Sequence, residues 1–595
     1  MDLRWDLAPL YPSFASDAFQ NDLRTMATEL AALKDRYTWS AVTDPAAEMT
    51  SYLLDLNALM SRLVLLQGYA GLTFQADTAD EAAMRYVDQL DMLATELTEP
   101  TVKFRRYLTT LADLDEYIAS SPLLTEHSFL IKDQLDKARY MLSDHEEVLL
   151  ALLQTTGSSA WSILQSKLTA GLMITLDVAG EQKTLPLSMV RNLAKHESAE
   201  VRKSAYLAEL KAYENIDESI AAALNCIKGE VLTVAKLRGY PSPLAQSAAT
   251  ARLDMDSLSA MISAMRDKLP AFRKYLRRKG EILGHKNGLP FYDLFAPITA
   301  SSLKFTWEEG TAFILRHFAS YSPELADYAT QVFAGEWVDA LPRKGKVGGA
   351  FCAGVHPIKE SRILMNYTGS FSDVSTLAHE LGHGYHNDQV FCESVLNSDY
   401  PMPVAETASI FCETIVIDAA LKEVADQDKI DILEKSLAGH TQLIVDILSR
   451  FIFESNVFTE RKEAPLSVTR VKHLMIEAQK EAYGDGLDEN TLHPYMWLCK
   501  SHYYSAGFNF YNYPYAFGLL FGKGLYAQYL DGQENFHAAY DQLLNNTTRM
   551  PAKEVAATMN IDTTSKDFWL KSLGIIERDI EEFLQLTEHL VIDKA

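Results

Sequence analysis

Residues Thr376–His386 read TLAHELGHGYH and contain His379-Glu380-Leu381-Gly382-His383, two imidazoles four residues apart with a carboxylate beside the first. On an α-helix, residues four apart lie one turn above each other, so both rings can reach a single zinc ion. Glu380 is rotated by roughly 100° from His379, enough to miss the metal and still touch a water beside it. This pattern suits metal-assisted hydrolysis with Glu380 as general base. A catalytic zinc takes three protein ligands and keeps one position open. Position 389, six residues after His383, is Gln, so the third ligand comes from elsewhere. His386 lies three residues beyond His383 on the same side and is expected to hydrogen-bond a ligand imidazole. Gly382 costs a helix ~1 kcal/mol relative to Ala, which implies that something approaches this face closely.

A second segment supplies carboxylates. Pro403–Glu413 reads PVAETASIFCE, and Glu406 and Glu413 are two helical turns apart on one face. One can ligate the zinc while the other hydrogen-bonds a ligand imidazole. Set among Ala405, Ile410, Phe411 and Cys412, they do not read as a solvated face. Glu406 is the expected ligand and Glu413 the expected imidazole partner. A third segment, Ser501–Gly518, reads SHYYSAGFNFYNYPYAFG, one His among eight aromatic residues. Phenols are seldom buried without partners, and attack on a carbonyl needs donors for the developing oxyanion.

Taken together, ILMNYTGSFSDVSTLAHELGHGYH, AETASIFCE and HYYSAGFNFYNYPYAFG closely resemble the zinc oligopeptidases of the thimet oligopeptidase/oligoendopeptidase F family. The F-Y-x-Y-x-Y-A-x-G ending places the oligoendopeptidase F branch nearest, and the likeness runs from Val201 to Phe583. The resemblance implies a mainly α fold, two helical lobes enclosing a deep catalytic channel. It implies a zinc endopeptidase acting on short peptides, and the single closed set of His379, His383 and Glu406 implies one Zn2+ per chain. It also implies that His502 and Tyr511 bind substrate and stabilise the oxyanion, with Tyr504, Tyr513 and Tyr515 as further substrate-binding candidates. A metallocarboxypeptidase of related shape, or a silent peptide-binding protein, are the competing readings; the intact His379, Glu380, His383 and Glu406 weigh against the silent one.

These residues need helices to hold them. Apolar residues at three- and four-residue spacing predict helices over Phe19–Tyr37, Glu81–Leu97, Leu185–Tyr213 and Ile220–Leu237. Ser370 and Asp373 form a capping-box pattern just before the H-E-x-x-H segment. Upstream, Val338–Gly369 is rich in glycine, and Arg362–Tyr367 reads as a short strand, so a small β-sheet is expected beside that helix, walling the site. The polar, turn-rich stretch Asp177–Pro186 suggests a boundary, with an N-terminal helical lobe over 1–186 and a catalytic lobe over 187–595.

Composition narrows the partners. The 595 residues carry a net charge of −25, which repels phosphate backbones and anionic membranes. Every window of ~18 residues is broken by charge, so no membrane span is expected; even the apolar run Gln442–Phe458 contains Asp446, Arg450 and Glu454. Five scattered cysteines with no C-x-x-C pair suit a reducing compartment, and no secretory signal pattern opens the chain. The expectation is a cytoplasmic location, with the oligomeric state left open.

Overall fold

The computed structural model describes residues 3–298 and 303–590, and it is mostly helical with two small sheets. The helical periodicity is realised with small shifts of boundary, as Asp17–Arg36, Glu81–Thr95 and Asp217–Arg238. The expected helix Leu185–Tyr213 is broken instead into Leu187–Asn192, a 3-10 turn Leu193–Lys195, and Ala199–Tyr213. The reason is local: Ser198 takes an extended backbone and its hydroxyl accepts from Val201 N–H, starting a new helix.

The chain forms two compact units, each drawn from three stretches of sequence. The first comprises Met1–Met141, Leu303–Ala419 and Gly532–Asn560; the second comprises Leu142–Ser302, Ala420–Asp531 and Ile561–Ala595. The turn-rich text near residue 180 lies inside the second unit. There β1 (Met173–Val178) and β2 (Glu181–Pro186) form an antiparallel hairpin. Ala179 and Gly180 both have positive φ (55° and 88°), the geometry of a two-residue hairpin turn. Ile174 and Leu176 are buried while β2 is almost wholly exposed.

In the first unit, β3 (Val338–Asp339) pairs parallel to β5 (Glu360–Leu364), and β4 (Phe351–Val355) pairs antiparallel on its other side. Val355 and Leu364 bury against Phe19, Leu63, Leu66 and Tyr69 of the N-terminal helices. The sheet also packs on the helix Phe371–Val390, which carries the H-E-x-x-H residues. The predicted strand is therefore present but displaced, because Met365 and Tyr367 continue as extended backbone, donating to Asp339 and Ala340 carbonyls.

In the second unit, the long helices Met255–Ile282, Tyr513–Leu530 and Lys566–Leu586 pack together. The helices Asp426–Thr441 and Ile447–Arg461 are joined by a π turn at Gln442–Asp446. The charges that interrupt this apolar run are paired: Asp446 with Arg450, and Glu454 with Lys228. No described helix is long and apolar enough to cross a membrane.

Start of the H-E-x-x-H helix is set by the capping box read from the sequence. Ser370 Oγ accepts from Asp373 N–H at 3.2 Å, and Asp373 Oδ2 accepts from the N–H groups of Ser370 (3.0 Å) and Thr368 (2.9 Å). Partial burial would raise the Asp373 pKa, but the Thr368 and Ser370 donors outweigh it and hold the carboxyl below its ordinary value. Its contribution to stability is thus present above the unfolded-state pKa and lost as pH falls through the lowered folded value. Asp373→Asn is expected to cost ~1 kcal/mol near neutral pH. The Tm gap between parent and variant should narrow as pH drops below ~4; a gap independent of pH would assign the cap no role for its charge.

Candidate active site

The helix Phe371–Val390 stacks His379 above His383, with ring centroids 4.9 Å apart and planes at 82°. Glu406 reaches both rings: its Oε2 lies 3.2 Å from His379 Nε2 and 3.4 Å from His383 Nε2. The three donor atoms lie within 4.8 Å of one another, and theirs is the one such group able to hold a metal ion among the described residues. Bonds of ~2.0–2.1 Å to a tetrahedral ion would separate ligand atoms by ~3.3–3.4 Å, so the two His–Glu spacings match that requirement.

The electrostatics show what this donor set attracts. Burial alone would lower the His379 pKa, but hydrogen bonds to Glu406 and Glu413 push it up to about 10. Burial would raise Glu406, yet His379 and His383 bring it down to about 2. His383, buried beside a charged His379, falls to about 4. One positive charge, here a proton, is gathered among two imidazoles and two carboxylates. A divalent cation fits the same demand, with both imidazoles then neutral.

Glu380 is 6% exposed, and its Oε2 has no hydrogen-bond partner. Burial raises its pKa, His379 lowers it, and the other carboxylates raise it further, to about 7. A buried carboxyl with a free oxygen and a pKa near neutrality has the properties of a general base.

Glu413 Oε2 lies 3.2 Å from His379 Nδ1, and Ser375 Oγ donates to Glu413 Oε1 at 3.2 Å. Ser409 Oγ donates to Glu406 Oε2 at 2.7 Å. These two serines escaped the sequence reading, although spacing pointed to them: Ser375 is one turn before His379, and Ser409 is three residues after Glu406. Glu406 and Glu413 do not share one helix. Glu406 sits at the junction between Met402–Ala405 and Thr407–Glu423, with its carbonyl accepting from Ile410 N–H.

The expected role of His386 does not match its surroundings. Its Nε2 meets Thr547 Oγ1 at 2.8 Å and the Leu544 carbonyl at 3.3 Å, its Nδ1 has no partner, and its ring stacks on Tyr400 at 4.1 Å. One turn further along the helix, it faces the neighbouring helix Phe536–Asn546 rather than the donor set. It anchors the helix and makes no hydrogen bond to His379 or His383.

The aromatic segment belongs to the second unit and divides into core and surface. Tyr504 and Tyr513 are buried; Tyr504 OH donates to the Trp497 carbonyl (3.2 Å), and Tyr513 OH shares a 3.3 Å hydrogen bond with Ser247 Oγ. Their hydroxyls are committed within the fold, which removes them as substrate contacts. Tyr511 is 39% exposed, and its OH shares a 2.8 Å hydrogen bond with the Tyr515 OH. The His502 ring stacks on Tyr511 at 5.8 Å with planes at 23°, and His502 Nε2 has no partner. Burial, then Arg450, Lys500 and Lys228, hold the His502 pKa down to about 3, so the ring is neutral.

The sequence profile of Peptidase family M3 matches residues 192–575. The chain belongs to peptidase family M3. A profile described as Oligopeptidase F matches residues 110–173 of the same chain. This M3 peptidase is 24% identical over 592 residues to Oligopeptidase PepF of Bacillus subtilis (strain 168), covering 98% of this chain and 87% of that one. It is 23% identical over 548 residues to the Group B oligopeptidase PepB of Streptococcus agalactiae, covering 91% and 90%. In fold it is similar to a Chlamydophila abortus protein solved as a candidate peptidase (TM-score 0.85, 24% identity, 98% of each chain). It is also similar to oligoendopeptidase-F from Enterococcus faecium (TM-score 0.71, 18% identity, 96% of this chain and 99% of that one). The metal-type donor set and the aromatic segment both lie inside the M3 match.

What brings Glu406 within reach in this M3 chain is Gly382. A Cβ there would stand 2.5 Å from the Ala408 carbonyl oxygen and 2.6 Å from Ser409 Cα, both backbone atoms that cannot step aside. The close approach inferred from the sequence is thus that of the next helix. Gly382→Ala should overpack this contact and cost roughly 1–3 kcal/mol, despite alanine's better helix propensity. Thermal denaturation measures it; an unchanged or raised Tm would refute the contact.

Proposed function

We propose that this M3 peptidase is a zinc-dependent endopeptidase that hydrolyses internal bonds of short oligopeptides. The carrying observation is the convergence of His379, His383 and Glu406 on one point, with the unpartnered carboxyl oxygen of Glu380 beside them. His379, His383 and Glu406 would hold one Zn2+ per chain, which supplies Lewis-acid polarisation of the scissile carbonyl and of the attacking water. Glu380 accepts a proton from that water and returns it to the leaving amine. Glu413 fixes the ring orientation of His379 through Nδ1, leaving Nε2 for the metal. His502 and Tyr511, with Tyr515 bonded to it, contact the peptide and donate to its carbonyl oxygen as negative charge grows there.

Peptides are the substrate class because the M3 relatives are named oligopeptidases. The net charge of −25 opposes nucleic-acid partners. Five free thiols suit a reducing compartment, and the cytoplasm is the proposed location.

The tests separate base from ligand. Thorough chelation should abolish turnover and added zinc restore it, with one zinc per chain by atomic spectroscopy; turnover without metal would sink the hydrolytic scheme. Glu380→Gln should retain zinc and lose ~10²–10⁴-fold in rate, whereas Glu406→Gln should lose zinc itself. Equal zinc loss in both variants would reverse the assignment.

A quenched peptide blocked at both ends should be cut, since an endopeptidase needs no free terminus; resistance would favour a carboxypeptidase. The same cleavable sequence within a stable folded domain should be spared, because exposing it costs ~5–15 kcal/mol of unfolding. Equal rates for the free and embedded forms would rule out selection for short peptides.

A further inference from the structure

The loop that carries Tyr511 is tied to a buried charge pair for which the mechanism has no use. Lys228, on the helix Asp217–Arg238, and Glu454, on the helix Ile447–Arg461, are both almost completely buried. Lys228 Nζ donates to Glu454 Oε1 at 2.7 Å and to Asn509 Oδ1 at 2.9 Å. The other carboxylate oxygen, Glu454 Oε2, accepts from the backbone N–H of Phe510 at 3.0 Å. Both ions therefore spend their second hydrogen bond on two consecutive residues of the loop, Asn509 and Phe510, immediately before Tyr511.

Phe510 has φ of 54°, a left-handed conformation that a bulky side chain holds only where its surroundings impose it. The imposing contacts are visible. The Phe510 ring packs against Phe451 and Phe458, and Lys228 Nζ also sits 4.9 Å over the Phe458 ring. Ser247 Oγ donates to the Asn509 carbonyl at 2.9 Å, and Asn509 Nδ2 donates to the Ala506 carbonyl at 3.1 Å. The left-handed turn buries Phe510 and exposes the next residue, Tyr511, against His502.

A buried ion pair is weak evidence for stability, because desolvation offsets most of the attraction. What this one does well is fix direction: two charged partners hold two backbone-linked groups in one register. We infer that Lys228 and Glu454 are positioning residues for the peptidase reaction, clamping Asn509 and Phe510 so that the Tyr511 and Tyr515 hydroxyls and the His502 ring are aimed before substrate arrives. The inference rests on the role proposed above for those hydroxyls.

A double-mutant cycle tests it. Glu454→Gln and, separately, Asn509→Ala are compared with the parent on a quenched peptide, with zinc content and Tm recorded. Gln leaves the side-chain shape and removes the charge; Asn509→Ala cuts one of the loop's two ties and leaves the ion pair whole, so it carries the test should Glu454→Gln fail to fold. Each is expected to lower kcat by about 10- to 100-fold, with KM within a few-fold of the parent and zinc content unchanged. Asn509→Asp, which keeps the oxygen that accepts from Lys228, should recover most of the rate lost in Asn509→Ala. In a Tyr511→Phe/Tyr515→Phe background, the same variants should cost clearly less than in the parent, because the two hydroxyls they aim are already gone and only His502 is left to misplace. Full multiplicative losses in both backgrounds, or parental kcat in the two folded variants, would overturn the clamp. Parental turnover in Tyr511→Phe/Tyr515→Phe alone would overturn the reading of the hydroxyls, and the clamp with it.

Discussion

The donor set exists because two stretches of backbone almost touch. At Gly382 the H-E-x-x-H helix has no side chain, and Ala408 and Ser409 occupy the space that one would fill. Glu406 stands just before that contact, so its carboxylate is delivered to the level of His379 and His383 by main-chain packing rather than by side-chain reach. The remaining supports follow. Ser409 hydrogen-bonds Glu406, Glu413 takes up the far nitrogen of His379, and Ser375 steadies Glu413. A backbone separation set by glycine is stiff, since neither partner has a rotamer through which to yield.

Several buried charges of the second unit are paired as well. Arg202 with Asp293, Lys228 with Glu454, and Lys279 with Glu434 are all close to fully buried. Each ion finds further hydrogen bonds: Lys279 Nζ reaches the Leu294 carbonyl, and Arg202 reaches the carbonyls of His196 and Glu197. Such pairs add little net stability but penalise every alternative packing that would separate them.

Much of this was legible from residue types and spacing, and what was missed has a common cause. Helices with one apolar face announce themselves by period, and the Ser370–Asp373 cap is a local pattern of four residues. The hairpin at Met173–Pro186 was hidden because β2 buries almost nothing and so shows no alternation. His379 and His383 come together as their four-residue spacing on one helix suggested, whereas Glu406 and Glu413 do not share a helix and reach them through packing between elements. His386 shares that face, yet its partners are Leu544 and Thr547, which no spacing within its own helix could reveal. Tyr504 and Tyr513 looked like Tyr511 in the sequence; only the Trp497 carbonyl and Ser247 distinguish a structural phenol from an accessible one.

The first unit is assembled from three separated stretches, and the last of them, Gly532–Asn560, is made late in synthesis. That stretch supplies Asp541 to the Tyr385 hydroxyl, and Leu544 and Thr547 to His386, both tyrosine and histidine lying on the helix that carries His379 and His383. On the ribosome, the H-E-x-x-H helix therefore emerges well before its buttress. Until residue 547 has appeared, the Tyr385 hydroxyl and His386 Nε2 lack these partners. The contacts that seat the H-E-x-x-H helix thus span more than 150 residues of sequence and close only after the whole of the intervening chain is available.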